Sequence, residues 1–168
     1  MGFDAPGTTP FGGCQPGMQS FAAYVMDRWQ TGNLGCYNPA SIIPGTNQMS
    51  LHGEGRAFDA ALNANDRGEL TRGDDLFYWC VANADAIGLQ EILWRGLIWY
   101  WPRRGEGVRY PVQQADHMSH VHIGMDRYAA SNWDSGWLPT EDDFLMGLTQ
   151  DQQNGIYYVA QLIADGLA

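Results

Sequence analysis

Residues 50–59 read SLHGEGRAFD and residues 116–124 read DHMSHVHIG, and these two stretches hold all four histidines of the 168-residue chain. In the first, His52 stands seven positions before Asp59. The end of that stretch alternates like a strand, with Ala57, Asp59 and Ala61 on one side and Phe58, Ala60 and Leu62 on the other. In the second, His117, His120 and His122 form H-x-x-H-x-H. There His120, His122 and Gly124 share one strand face, against Val121, Ile123 and Met125. Imidazole and carboxylate ligands suit zinc, and a catalytic zinc keeps three protein ligands and one open position. If the two strands are neighbours, His52, Asp59 and His122 supply that set, one zinc per chain. His120 shares the face of His122 and is placed to touch water or substrate. His117, on the loop just before, is placed to act as a general base, the group that accepts a proton from water and passes it to a leaving amine.

Outward from these stretches the chain reads as helices around a small sheet. Residues 1–16, rich in Gly, Pro and Thr, are expected as an irregular arm. Met18, Phe21, Ala22, Val25 and Trp29 recur at helical spacing over 17–31, and Gly32 and Gly35 are read as ending that helix. Thr71 with Asp74 suggests a second helix start, with Leu76, Phe77, Cys80, Val81 and Ala84 facing the core and Gly88 as C-cap. In LQEILWRGLIWYWPR two apolar runs flank Arg95-Gly96, the pattern of a hairpin or a bulged bend. Residues 1–138 form the expected domain. From 139 to 168 the composition shifts, and two further helix starts, at Thr140 and Thr149, mark a helical tail or a linker towards another domain.

Composition excludes more than it names. Nineteen acidic residues against nine basic give a net charge of −10, which argues against nucleic acid and against docking on an anionic membrane. No run approaches the ~18 apolar residues of a membrane-spanning helix, and the first residues lack the basic and apolar regions of a signal peptide. The chain is expected to be a monomer. Cys14 and Cys36 flank the first helix and could pair if the protein worked outside the cell; the preferred reading leaves the three cysteines as buried or idle thiols.

The SLHGEGRAFD stretch resembles the S-x-H-x-x-G-x-A-x-D signature of zinc D-Ala-D-Ala carboxypeptidases and L-Ala-D-Glu endopeptidases. Ser50, His52, Gly55, Ala57 and Asp59 all match. DHMSHVHIG is similar to the second signature of the murein-endopeptidase branch of that hedgehog-like superfamily. The carboxypeptidase branch places a Glu three residues before the last ligand, where this chain has Ser119. The resemblance covers roughly residues 17–127 and implies an α+β domain, a small antiparallel sheet with flanking helices. It implies zinc held by His52, Asp59 and His122, with His117 as base and His120 orienting water or stabilising the tetrahedral intermediate. The activity it implies is hydrolysis of a stem-peptide or cross-link amide of bacterial peptidoglycan, as in a phage endolysin. Such an enzyme is made in the host cytoplasm and reaches the wall through holin lesions. The alternatives are a D,D-carboxypeptidase trimming terminal D-Ala and a catalytically silent, zinc-containing wall-binding module. Substrate contacts are expected from Arg56 as a carboxylate-binding fork, with a surface salt bridge as the equal alternative, from Trp99 in a cluster with Trp94, Tyr100 and Trp101 of which half is expected in the core and the rest in a groove, and from Ser50, which also steadies the His52 loop. Arg103, Arg104 and Arg109 form a second candidate anion site. Glu54 beside His52 is a possible acid/base group, expected to lie in solvent.

Overall fold

The computed structural model describes residues 3–110 and 117–138, so the expected tail of 139–168 lies outside the described residues. Five strands form one antiparallel sheet: β1 (Gly32–Gly35), β2 (Ala57–Ala61), β3 (Leu89–Trp94), β4 (Leu97–Tyr100) and β5 (His120–Met125), in the spatial order β1-β2-β5-β3-β4. Helices α1 (Pro16–Trp29) and α2 (Arg67–Ala82), with the short α3 (Ala84–Ile87) and α4 (Arg127–Asn132), flank it. The architecture is of the expected α+β class, a small antiparallel sheet with flanking helices.

The register explains how one sheet serves two purposes. Phe58 and Ile92 both pair with Ile123, and Ala60 pairs with Val121. All of these are fully buried, and α1 and α2 pack on β2, β3 and β5. Burying the Phe, Ile and Val side chains among them stabilises by roughly 1.5–3 kcal/mol each, so the apolar half of the alternation drives the sheet onto the helices. The other half places Asp59 opposite His122 and Glu91 opposite Gly124. Chemistry-bearing side chains therefore crowd the face turned away from the helical core.

Local signals account for most element ends. Arg95 and Gly96 take positive φ (41° and 84°), the two-residue turn that suits the twist of a β3–β4 hairpin. Gly88 closes α3 in the left-handed conformation (φ 70°), as its position after an apolar helix leads one to expect. The second helix, however, begins at Arg67 rather than near Thr71, because the Asp66 carboxylate accepts from the Gly68 and Glu69 N–H groups and caps it there. Asp66 is the better cap, an acceptor preceding the whole first turn. Val81, expected in the core, is only half-buried. Gly32 and Gly35 do not merely terminate α1: they bound β1, whose strand character comes from pairing with β2 and from the Thr31 hydroxyl donating to the Ala61 carbonyl at 2.8 Å.

Cys14 and Cys36 form a disulfide, correcting the expectation of idle thiols. Cys80 is a buried free thiol whose pKa burial pushes well up. No helix among the described residues is long and apolar enough to cross a membrane.

Candidate metal centre

The two histidine stretches meet because β2 and β5 are neighbours. Asp59 and His122 are register partners on adjacent strands, and His52 comes from the loop that leads into β2. That loop is fastened at several points. The Ser50 hydroxyl lies 2.7 Å from the Ser41 hydroxyl and accepts from the Gly53 N–H, while the Arg56 N–H donates to the Leu51 carbonyl. Gly55 sits at φ 64°, and a Cβ there would lie 1.9 Å from the Gly13 carbonyl oxygen. The motif glycine is thus required both by its backbone conformation and by the N-terminal arm crossing directly over it.

Three atoms converge. His52 Nε2 lies 3.1 Å from His122 Nδ1, His122 Nδ1 lies 3.0 Å from Asp59 Oδ1, and His52 Nε2 lies 3.2 Å from the same oxygen. Each ring's other nitrogen faces an acceptor: His52 Nδ1 is 3.0 Å from the Cys36 carbonyl and His122 Nε2 is 3.2 Å from Glu91 Oε1. A carbonyl and a carboxylate only accept, so those outer nitrogens carry the protons. In the neutral rings the two inward nitrogens are then lone pairs, aimed at one another and at a carboxylate oxygen. Such a triangle demands positive charge, which either a cation or an extra proton supplies.

The His/Asp/His group could hold a metal ion, and its dimensions fit one. Four donors placed tetrahedrally about 2.0 Å from zinc are about 3.3 Å apart, close to the separations found here. Two imidazoles and one carboxylate also match the hardness of that ion. With a proton instead, burial would lower the His122 pKa, but its hydrogen bonds to Asp59 and Glu91 outweigh this and push it up to about 9. Burial would likewise raise the Asp59 carboxyl, yet the two histidines hold it far below the usual carboxylate range.

The remaining histidines border the triangle. The His117 ring centroid lies 4.8 Å from that of His120 and 5.7 Å from that of His122. His117 adopts a positive φ of 64°, and its carbonyl accepts from the Arg95 N–H at the hairpin turn. His120 Nε2 is 3.7 Å from Asp59 Oδ1, and Ser119 Oγ is 3.2 Å from its Nδ1. All four histidines therefore gather in one place. A recess of about 370 Å³ opens beside His52 and Asp59, bordered by Tyr37, Asn38 and Ser41. A groove of about 460 Å³, lined by Phe3, Ile43, Ser50, Glu91, Ile98 and Tyr100, lies toward the β4 edge.

Three expected substrate contacts are corrected or reassigned. Arg56 is fully buried, donating to Glu54, Gln90 and the carbonyls of Met125 and Asp4. Its fork is consumed by the fold and is not available to a substrate carboxylate. Trp99 pairs with Ile92, whose side lies on the helical core, and is 5% exposed. The groove position that alternation gives to its neighbour belongs to Tyr100, the partner of Glu91. Ser50 lines the groove, but its hydroxyl is engaged in holding the loop. Glu54, expected in solvent, is fully buried. Burial would raise its carboxyl, yet the Gly7 N–H, Arg127 and Arg56 together lower it. In the basic loop, Glu106 pairs with Arg103 and Arg109, and Arg104 lies over the Trp101 ring at 4.1 Å.

Glu91 joins the site from outside the two histidine stretches, as the one charged residue in the apolar run LQEILW. Burial would raise its carboxyl, but the hydrogen bond from His122 and that ring's charge hold it low.

No curated protein and no solved structure matches the chain significantly. A family model described as VldE, C-terminal domain, matches residues 10–122, a span that runs from the N-terminal arm through His52 and Asp59 and ends on His122. The chain belongs to that family.

Proposed function

We propose that this domain is a zinc-dependent peptidoglycan peptidase of the hedgehog-like type, a phage endolysin domain that hydrolyses a stem-peptide or cross-link amide of the bacterial wall. The observation that carries the reading is the triangle of inward-facing lone pairs with two further histidines packed against it. A structural site needs the ligands, but it does not need His117 and His120.

His52, Asp59 and His122 would hold the ion. When bound, zinc supplies Lewis acidity, polarising a carbonyl and acidifying water. The remaining work falls to the chain's own groups. His117 takes a proton from the attacking water and returns it to the departing amine, so that amide and water become acid and amine. His120, between His117 and Asp59, orients that water and stabilises the oxyanion. The Cys36 carbonyl against His52 Nδ1 and the Glu91 carboxylate against His122 Nε2 keep both rings turned to the same point. The disulfide supports action in an oxidising compartment outside the cytosol, which suits release to the wall. The net charge of −10 gives no simple attraction to an acidic wall, so specific contacts would have to bring the domain there.

The test is mass spectrometry of diaminopimelate-type peptidoglycan digested by zinc-loaded wild type and by His122→Ala. New amino termini from wild type alone support the proposal, and intact murein in both refutes it. Loss of only a terminal alanine would indicate carboxypeptidase trimming instead.

A further inference from the structure

The outer nitrogen of His122 meets Glu91 across the β5–β3 pair, and the approach is unusually close. Glu91 pairs with Gly124, two residues beyond His122 on the same face. A Cβ on Gly124 would lie 3.2 Å from Glu91 Cγ and 2.2 Å from Leu51 Cδ1. The missing side chain at Gly124 therefore lets the Glu91 stem lie across β5 and deliver its Oε1 to His122 Nε2 at 3.2 Å. A glycine inside a strand marks such a close approach. His52 receives the equivalent support from a backbone carbonyl, that of Cys36, so each imidazole of the triangle has an outer acceptor.

We propose that Glu91 is a positioning residue of the metal centre: it fixes His122 in the Nε2–H tautomer, so that Nδ1 is the ligand atom. The inference rests on the metal reading above and adds a fourth protein group to it. The ring's orientation turns Nδ1 inward, but a neutral imidazole can carry its proton on either nitrogen, and the hydrogen bond made by one decides whether the other is a lone pair. A carboxylate on one nitrogen makes that choice, steadies the ring and raises the basicity of the ligating nitrogen. Glu91 meets His122 at its outer nitrogen, away from the inward atoms, and acts on the site through that ring.

The test uses the whole chain and reads metal binding, with hydrolysis left aside. Metal-free wild type, Glu91→Gln and Glu91→Leu are titrated with zinc against a chromogenic chelator, and thermal melts of each check the fold. Glu91→Gln keeps an acceptor oxygen for the Nε2–H, and its affinity is expected to stay within about threefold of wild type. Glu91→Leu removes the acceptor and is expected to lose roughly 10- to 100-fold, the usual effect of deleting such a support. Long-range proton–nitrogen NMR of zinc-loaded wild type reads the tautomer without any substitution: Nε2 of His122 carries the proton and Nδ1 carries the metal shift. Unchanged affinity in Glu91→Leu, a loss in Glu91→Gln as large as in Glu91→Leu, or a proton on Nδ1 overturns the proposal. Absence of zinc binding by wild type overturns the metal centre and this proposal together. A zinc-binding chain that cleaves no murein sinks the peptidase reading while leaving the role of Glu91 standing.

Discussion

Replacing Arg56 with Met separates a structural arginine from a substrate-binding one. The guanidinium is fully buried and donates to Glu54 at 2.6 Å, to Gln90 at 2.9 Å, and to the Met125 and Asp4 carbonyls at 2.7 and 3.2 Å. Methionine fills much of the stem's volume but leaves these acceptors unpaired. Breaking a buried pair by removing one partner typically costs about 3–5 kcal/mol. Here the Glu54 carboxylate keeps the Gly7 N–H at 2.6 Å and Arg127 at 2.9 Å, so the loss belongs at the lower end, about 3 kcal/mol. For a domain of this size that is roughly a 10 °C fall in Tm. The assay is a thermal melt of Arg56→Met beside wild type, followed by kcat and KM on a soluble muropeptide at a temperature where both are folded. For a structural arginine the melt drops and KM stays near wild type. An unchanged Tm with a KM raised tenfold or more would refute it and restore Arg56 as a carboxylate fork.

Three further outcomes follow from the same contacts. In metal-free protein the His122 pKa is raised from 6.5 to about 9, its hydrogen bonds to Asp59 and Glu91 overcoming the effect of burial. The stabilisation is fully present below about pH 6.5 and is lost as pH rises through 9, a fall of up to about 3 kcal/mol. Denaturant melts at pH 6 and pH 9.5 should show it in metal-free protein and not in zinc-loaded protein, and a metal-free stability that rises over that range contradicts the assignment. Gly124→Ala forces Leu51 and Glu91 aside; overpacking of this kind costs about 1–3 kcal/mol, and zinc affinity should weaken with it, which calorimetry of the variant checks. Paired Cys14→Ser and Cys36→Ser replacement releases a loop with a sequence separation of 22. A chain-entropy argument then gives about 3 kcal/mol of lost stability; an unchanged denaturation midpoint would show that the crosslink adds nothing.

The sheet and the candidate metal-binding group are legible in the sequence because each depends on a local period. Alternation put Asp59 on one face of its strand and His122 on one face of its own, and the scarcity of histidines linked the two stretches. Arg56, Glu54 and Trp99 depart from the sequence expectation for a shared reason. Their environment is set by chain segments far away in sequence: Asp4 and Gly7 of the N-terminal arm enclose the ion pair, and the pairing of β3 with β4 decides which of Trp99 and Tyr100 faces the core. Neither is encoded within a few residues of the side chain concerned. Glu91 lies between these cases. A lone carboxylate in an apolar strand is a visible signal, but its partner becomes evident only when β3 is placed beside β5.

Three inward-facing donor atoms, those of His52, Asp59 and His122, form the candidate metal centre, and titration of the metal-free chain with zinc under native mass spectrometry tests it most directly. The expected result is one zinc per wild-type chain and almost none in Asp59→Ala, with the folded charge distribution retained. A wild type that takes up no zinc, or an Asp59→Ala chain that binds it as readily, would contradict the metal centre.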